Sequence, residues 1–233
     1  MGLVLLIFCI SHLVAEPCGD VNSSDGINIV DALLIAQYYV GLNPENFDQN
    51  AADMNADSNI NIVDELCSIV RQSDYVTVSW CKFYFDSPDD HSFGFLIGNG
   101  DDVTADRGKL HVTMHHNWYD NGVKGRQPRV RYGYVHIYNN YYNSNNTDYC
   151  IGAGYECHIR VENTHFDNVD DPWADYGGPD SGGQIGWSNL KFEGSSQPSF
   201  MSNSFPVFSP PYSFSLDSVD SVESIVRNSA GNR

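Results

Sequence analysis

Four runs of β-branched and aromatic residues recur in register, and this repeat constrains the chain more than any other feature. They are Val76-Thr-Val-Ser-Trp-Cys-Lys-Phe83, Val112-Thr-Met-His-His-Asn-Trp-Tyr119, Val135-His-Ile-Tyr-Asn-Asn-Tyr-Tyr142 and Ile159-Arg-Val-Glu-Asn-Thr-His-Phe166. Val78, Met114, Ile137 and Val161 fall in one column; Phe83, Tyr119, Tyr142 and Phe166 fall in another. The column spacings are 36, 23 and 24 residues. Alternating apolar residues that return with a period in the low twenties describe stacked coils, each burying its apolar side against the next. The longer first spacing carries an insertion, roughly residues 86–109. Asn139 and Asn163 repeat at a turn position, where amide side chains can hydrogen-bond up a stack. The pattern predicts a mainly β chain folded as a right-handed parallel β-helix. An antiparallel sandwich would satisfy the strand spacing but not the matched columns.

Charge divides the chain in two. The 233 residues carry 12 basic and 30 acidic side chains, a formal charge of −18. Such a surface repels phosphate backbones, which argues against a nucleic-acid partner. Residues 1–70 hold ten acids and no Lys or Arg. The opening stretch, MGLVLLIFCISHLVA, is nearly all apolar yet too short to span a bilayer. It reads as a secretory signal peptide cut after Ala15, which predicts an extracellular protein with no membrane span after removal. Five cysteines then remain, with Cys150 and Cys157 the most local pairing; buried free thiols are the equal alternative.

Between the signal and the coils stand two related twelve-residue stretches, Asp20–Asp31 and Asp53–Asp64, both ending in Ile-Asn-Ile-Val-Asp. An EF-hand-type loop places oxygen ligands at positions 1, 3, 5, 9 and 12. The first stretch offers Asp20, Asn22, Ser24, Asn28 and Asp31, and the second offers Asp53, Asn55, Asp57, Asn61 and Asp64. Hard oxygen donors at this spacing suit Ca²⁺. Ala32-Leu-Leu-Ile-Ala-Gln-Tyr-Tyr-Val-Gly41 reads as a short helix ended by glycine. This loop–helix unit resembles a dockerin, and the resemblance implies a small α-helical calcium module over residues 16–64 and a cohesin-type scaffold partner. After Asp64 a second such helix is replaced by Glu65-Leu-Cys-Ser-Ile-Val-Arg71.

Within the coils, Lys124, Arg126, Arg129 and Arg131 concentrate four of the twelve basic residues in eight positions, around Pro128. On so acidic a chain this run predicts a site for an anionic ligand, because guanidinium groups hold carboxylates through paired hydrogen bonds. Ion pairs with the surplus carboxylates are the competing use. Together with Leu96-Ile-Gly98, Gly108-Lys-Leu-His-Val-Thr-Met-His-His-Asn-Trp-Tyr119 and Val135-His-Ile-Tyr-Asn-Asn-Tyr141, the element Arg126-Gln-Pro-Arg-Val-Arg131 resembles the pectate lyases. The resemblance covers residues 65–233. It implies calcium-dependent β-elimination on polygalacturonate or pectin, with Arg126 as base, Arg131 on the substrate carboxylate, and Arg129 and Lys124 beside them in substrate binding.

The chain also departs from that family. The family's paired Asp-x-x-x-Asp is Asp64-Glu-Leu-Cys-Ser68, with Ser68 in the second position. A cation expected just before Leu96-Ile-Gly98 is absent from His91-Ser-Phe-Gly-Phe95. The earlier coils are missing, so the helix reads as truncated. Three readings stay open: a pectate lyase, a pectin-binding fragment without turnover, and a structural β-helix whose calcium module is the functional part. His115 and His116 share columns with Ser79, Trp80, Tyr138 and Asn139, which assigns them to coil turns rather than to a metal.

Overall fold

The computed structural model describes Phe47 and residues 65–231, apart from Asp89, Asn146, Pro179, Phe200 and Met201. The chain divides into two units, Met1–Ile62 and Val63–Arg233. The second is a parallel β-helix of five coils. Each coil contributes one strand to each of three sheets. Sheet A contains β1 (Glu65–Ile69), β4 (Phe93–Ile97), β7 (Arg129–Val130), β10 (Ile151–Ala153) and β13 (Trp173–Asp175). Sheet B contains β2 (Val76–Ser79), β5 (His111–His115), β8 (Tyr134–Tyr138), β11 (His158–Glu162) and β14 (Gln184–Ser188). Sheet C contains β3 (Lys82–Phe83), β6 (Trp118–Tyr119), β9 (Tyr141–Tyr142), β12 (His165–Asp167) and β15 (Lys191–Glu193). Every strand pairing is parallel, which excludes the sandwich.

The predicted columns are the actual register. Val78 pairs with Met114, Met114 with Ile137 and Ile137 with Val161. Phe83, Tyr119, Tyr142 and Phe166 likewise stack, and Phe192 extends the column into a fifth coil. Their ring centroids lie 5.2, 4.6, 4.9 and 5.6 Å apart. The middle members are fully buried, and the two end members are only partly so. The expected insertion at 86–109 contains β4; what lengthens it is the loop from Gly98 to Leu110, with a 3-10 turn at Thr104–Asp106.

Sheet B turns into sheet C through a two-residue corner. The first corner residue is left-handed in every coil: Trp80, His116, Asn139, Asn163 and Asn189 have φ of 57°, 54°, 52°, 41° and 51°. Asparagine tolerates this conformation better than most side chains. A further amide ladder runs on the second corner position. Asn117 Oδ1 accepts from the Cys81 N–H at 3.1 Å, and Asn140 Oδ1 accepts from the Asn117 N–H at 2.7 Å. Their Nδ2 groups donate back to Val78 and Met114 carbonyls at 2.9 and 2.8 Å. Asn139 Nδ2 also lies 3.2 Å from His116 Nε2 in the preceding coil, as expected, and donates to the Ser215 carbonyl at 3.3 Å, while Asn163 donates to the Asp217 carbonyl at 2.6 Å.

That segment runs along the outside of sheet B. No strand is assigned in it among the described residues. Tyr212 bonds Thr113 and His136 at 2.6 and 2.9 Å, and Asp217 pairs with His116 at 2.8 Å. It ends in α1 (Val219–Ser229), whose Val222 and Val226 are four residues apart and bury one face against Tyr141 and Trp118. Asp220 in its first turn and Arg227 in its last complement the helix dipole.

Cys150 and Cys157 are buried free thiols and form no disulfide. Burial raises both thiols, Cys157 to about 12. Trp173 is likewise core, wholly buried beside Phe166. No helix among the described residues is long and apolar enough to cross a membrane.

Candidate functional site

The cationic run enters sheet A at β7. Val130 faces inward and is fully buried between Ile97 and Ala153. Alternation along the strand therefore turns Arg129 and Arg131 outward. Arg126 precedes the strand in a left-handed conformation, φ 53°, a placement that sequence alone does not reveal. Its carbonyl accepts from the Phe95 N–H, which locks the turn to β4. The Gln127–Pro128 peptide is cis.

Parallel register brings three coils together here. Glu65 pairs with Phe93, and Phe93 bridges to Gly125. The Arg126 guanidinium lies 4.3 Å from the Phe93 ring centroid and donates from Nη1 to Glu65 Oε2. Ser68 Oγ donates to the other Glu65 oxygen. The Arg126 and Glu65 side chains are only 18% and 9% exposed, so the pair is largely withdrawn from water. Sequence reasoning missed Glu65, which lies 61 residues away; only the coil register connects them.

The other cations differ in their commitments. Arg131 Nε donates to Asp101 at 2.6 Å, and its Nη1 donates to the Gly98 and Asn99 carbonyls at 3.3 and 3.1 Å, which ties it to the loop after β4. Lys124 pairs with an almost fully exposed Asp90 at 2.9 Å, an arrangement worth little in water. Arg129 is the exception. Among the described residues it has no carboxylate partner, and its buried Nε makes no hydrogen bond. Its guanidinium sits over the Tyr176 ring, 4.5 Å from the centroid. Desolvation, and then the positive charge of Arg131, lower its pKa.

The room for Arg129 comes from the coil above. In the outward column Leu96, Arg129, Gly152 and Ala174 are neighbours. A Cβ on Gly152 would fall 2.9 Å from the Tyr149 ring, 3.2 Å from Arg129 Cγ and 3.3 Å from Tyr176. Tyr149 and Tyr176 pack at 4.6 Å. Arg126 and Arg131 flank Arg129, and three of the four predicted cations already have carboxylate partners, as the ion-pair alternative anticipated.

The pectate lyase family model matches residues 16–233. The chain belongs to the pectate lyase family. A pectate trisaccharide-lyase of Bacillus licheniformis is 38% identical over 168 residues, covering 72% of this chain and 46% of the relative. A Bacillus subtilis pectate lyase is 38% identical over 101 residues, covering 41% of this chain and 23% of that protein. Among solved structures, a pectate lyase bound to a hexasaccharide has a TM-score of 0.59 at 28% identity, over 72% of this chain and 43% of that one. A Bacillus pectate lyase in complex with trigalacturonate has a TM-score of 0.58 at 29% identity, over 71% and 52%. The chain therefore spans less than half the length of these curated relatives.

The pectate lyase match also runs through residues 16–64, the stretch expected to be a separate dockerin-like module, and nothing found supports a dockerin there or a cohesin partner. The ligand positions expected in that stretch, Asp20, Asn22, Ser24, Asn28, Asp31, Asp53, Asn55, Asp57, Asn61 and Asp64, lie outside the described residues. Among the described residues no three His, Cys, Asp or Glu side chains converge as a metal site. Of the carboxylates near the cations, Glu65, Asp90 and Asp101 are each spent on a cation, and Asp148 and Asp171, near Tyr176, belong to no convergent group. The described residues therefore do not fit a calcium ion. His116 is a corner residue and stacks on Trp80 at 4.1 Å, whereas His115, expected in the turn, ends β5 and stacks on Tyr138 at 4.9 Å.

Proposed function

We propose that this chain acts on unesterified polygalacturonate as a β-eliminating lyase. The observation that carries this reading is the Arg126–Arg129–Arg131 face on sheet A, in a chain of the pectate lyase family. Substrate carboxylates engage Arg129, whose charge has no carboxylate partner among the described residues, and the outer edge of Arg131. Arg126 removes the C5 proton of a galacturonate unit. The C5 electron pair forms the C4–C5 double bond, the C4–O bond breaks, and water protonates the leaving oxygen. For this step Arg126 turns from Glu65 towards the sugar and first gives a proton to water, so that its neutral guanidine accepts the C5 proton and ends as the guanidinium.

Calcium dependence is part of the proposal, and since the described residues do not fit the ion, it draws on the loops at Asp20–Asp31 and Asp53–Asp64. Their repeated ligand spacing supports a calcium-binding segment there. Calcium titration calorimetry of the full chain tests it; no heat of binding sinks it. Secretion is proposed from the apolar stretch ending at Ala15, next to the residue where the family match begins. The mature N-terminus of protein exported by a secreting host tests that; retention of residues 1–15 contradicts it.

A second reading, binding without turnover, has a specific observation in its favour. Glu65 occupies Arg126, Ser68 stands where the family resemblance expects an Asp, and the stretch His91–Phe95, where it expects a cation, sets Phe93 against Arg126 instead. Mass spectrometry of polygalacturonate treated with the purified chain separates the two. Unsaturated oligogalacturonides support the lyase. Saturated products, or none from a chain that still binds the polymer, refute it.

A further inference from the structure

We infer that Tyr176 is a positioning residue, which holds Arg129 outward as a ready-made subsite for one galacturonate carboxylate. The inference rests on the polygalacturonate reading and assigns a role to a residue outside the cationic run.

Arg129 poses a physical problem. A half-buried guanidinium usually needs a carboxylate or several carbonyls to replace its lost water. Arg126 and Arg131 have such partners. Arg129 has none among the described residues, and its Nε is buried without a hydrogen bond. A long cation so placed could fold back towards the carboxylates of neighbouring loops. Two features oppose that. Gly152 leaves an open slot beside the stem, because any side chain there would meet Arg129 Cγ and the Tyr149 ring. The Tyr176 ring then lies against the guanidinium and supplies attraction without supplying a charge.

Tyr176 is itself fixed from two sides. Its N–H donates to the Ala153 carbonyl at 2.7 Å, and Tyr149 packs against its ring. The following turn is pinned by Asp175 Oδ1, which accepts from the Gly177 and Gly178 N–H groups at 3.0 and 2.9 Å. An aromatic ring orients the cation yet leaves its N–H groups for another acceptor. A carboxylate in place of Tyr176 would consume them. The arrangement is preorganised for a planar anion that accepts paired hydrogen bonds, which a free galacturonate carboxylate does and its methyl ester does not.

The test compares wild type with Tyr176→Ala, Tyr176→Phe, Arg129→Gln and the Arg129→Gln/Tyr176→Ala double variant. Product formation on polygalacturonate gives KM and kcat, and calorimetry with trigalacturonate gives Kd. Tyr176→Ala should raise KM and Kd about 3- to 10-fold with kcat within about twofold, from the loss of one cation–π contact and of preorganisation. Tyr176→Phe keeps the ring and should stay within about twofold. The double variant should be no worse than Arg129→Gln alone, since Tyr176 acts through Arg129. On a highly methyl-esterified substrate Tyr176→Ala should change nothing.

An unchanged KM in Tyr176→Ala, additive losses in the double variant, or equal losses on esterified substrate would overturn the inference. Should wild type neither bind nor cleave polygalacturonate, the lyase reading fails by itself. The positioning role is then decided by the Arg129 Nε–Hε resonance in ¹⁵N NMR. A resonance that is sharp in wild type and Tyr176→Phe and exchange-broadened in Tyr176→Ala supports it. Equal line widths in all three overturn it.

Discussion

Asn140→Ala is the sharpest perturbation of the stack itself. The Asn140 side chain is fully buried and serves two backbone groups of the preceding coil. Its Oδ1 accepts from the Asn117 N–H at 2.7 Å, and its Nδ2 donates to the Met114 carbonyl at 2.8 Å. Alanine strands both groups. Asn117 and Met114 are themselves fully buried, so bulk water cannot replace the lost amide. Each stranded backbone group costs about 1–3 kcal/mol, so the variant should lose about 2–6 kcal/mol, a large part of what holds an ordinary domain folded. Urea unfolding followed by far-ultraviolet circular dichroism gives the change. A control, Asn189→Ala, alters a corner in the last coil whose side chain makes no hydrogen bond in the described structure, and should cost only about 1 kcal/mol, the penalty of alanine at its left-handed φ of 51°. A loss under about 1 kcal/mol for Asn140→Ala would refute the argument that the corner amides hold one coil to the next.

Two further predictions concern charge. Burial lowers His136 to about 4 although Glu162 lies 2.9 Å away, and burial together with the His116 charge lowers His115 to about 4. Both rings are neutral in the folded chain near neutrality, whereas the unfolded chain takes up their protons near pH 6.5. Their contribution is therefore full above about pH 6.5 and is lost as pH falls towards about 4. Melting temperature should drop over that window, and His136→Gln should flatten the drop; an unchanged slope contradicts this. Glu65→Gln removes a carboxylate that competes with substrate for Arg126, so the Kd for trigalacturonate should fall about 2- to 5-fold. Unchanged or weaker binding would show that Glu65 does not compete.

Sheets B and C were legible because each coil repeats the same β-branched and aromatic positions across one corner, from Val78 to Val161 and from Phe83 to Phe166. The fifth coil escaped because the Gly-rich stretch 176–183 separates Trp173 from Gln184, and Trp187 stands in the column of Val78, Met114, Ile137 and Val161. Most of sheet A was hidden for a different reason. Arg129–Val130 and Ile151–Ala153 are too short for alternation to register, and one lies inside a cationic run. The ladder on the second corner position was missed because it rests on Asn117 and Asn140, which follow His116 and Asn139, and only the asparagine at the first position recurs in the next coil, as Asn163. At the site, local composition exposed the cations. Glu65, Gly152 and Tyr176 meet them only through parallel register between coils, which spacing along the chain does not encode.

The central claim is tested most directly by incubating the purified chain with polygalacturonate and following the ultraviolet absorbance of the unsaturated product, with Ca²⁺ and then with a chelator. Arg126→Lys is run beside it. The account predicts steady product formation with calcium, loss of it in chelator, and a rate at least about 100-fold lower for Arg126→Lys, since a misplaced general base typically costs that much. A folded chain that binds the polymer and forms no product, or an Arg126→Lys variant as fast as wild type, would contradict it.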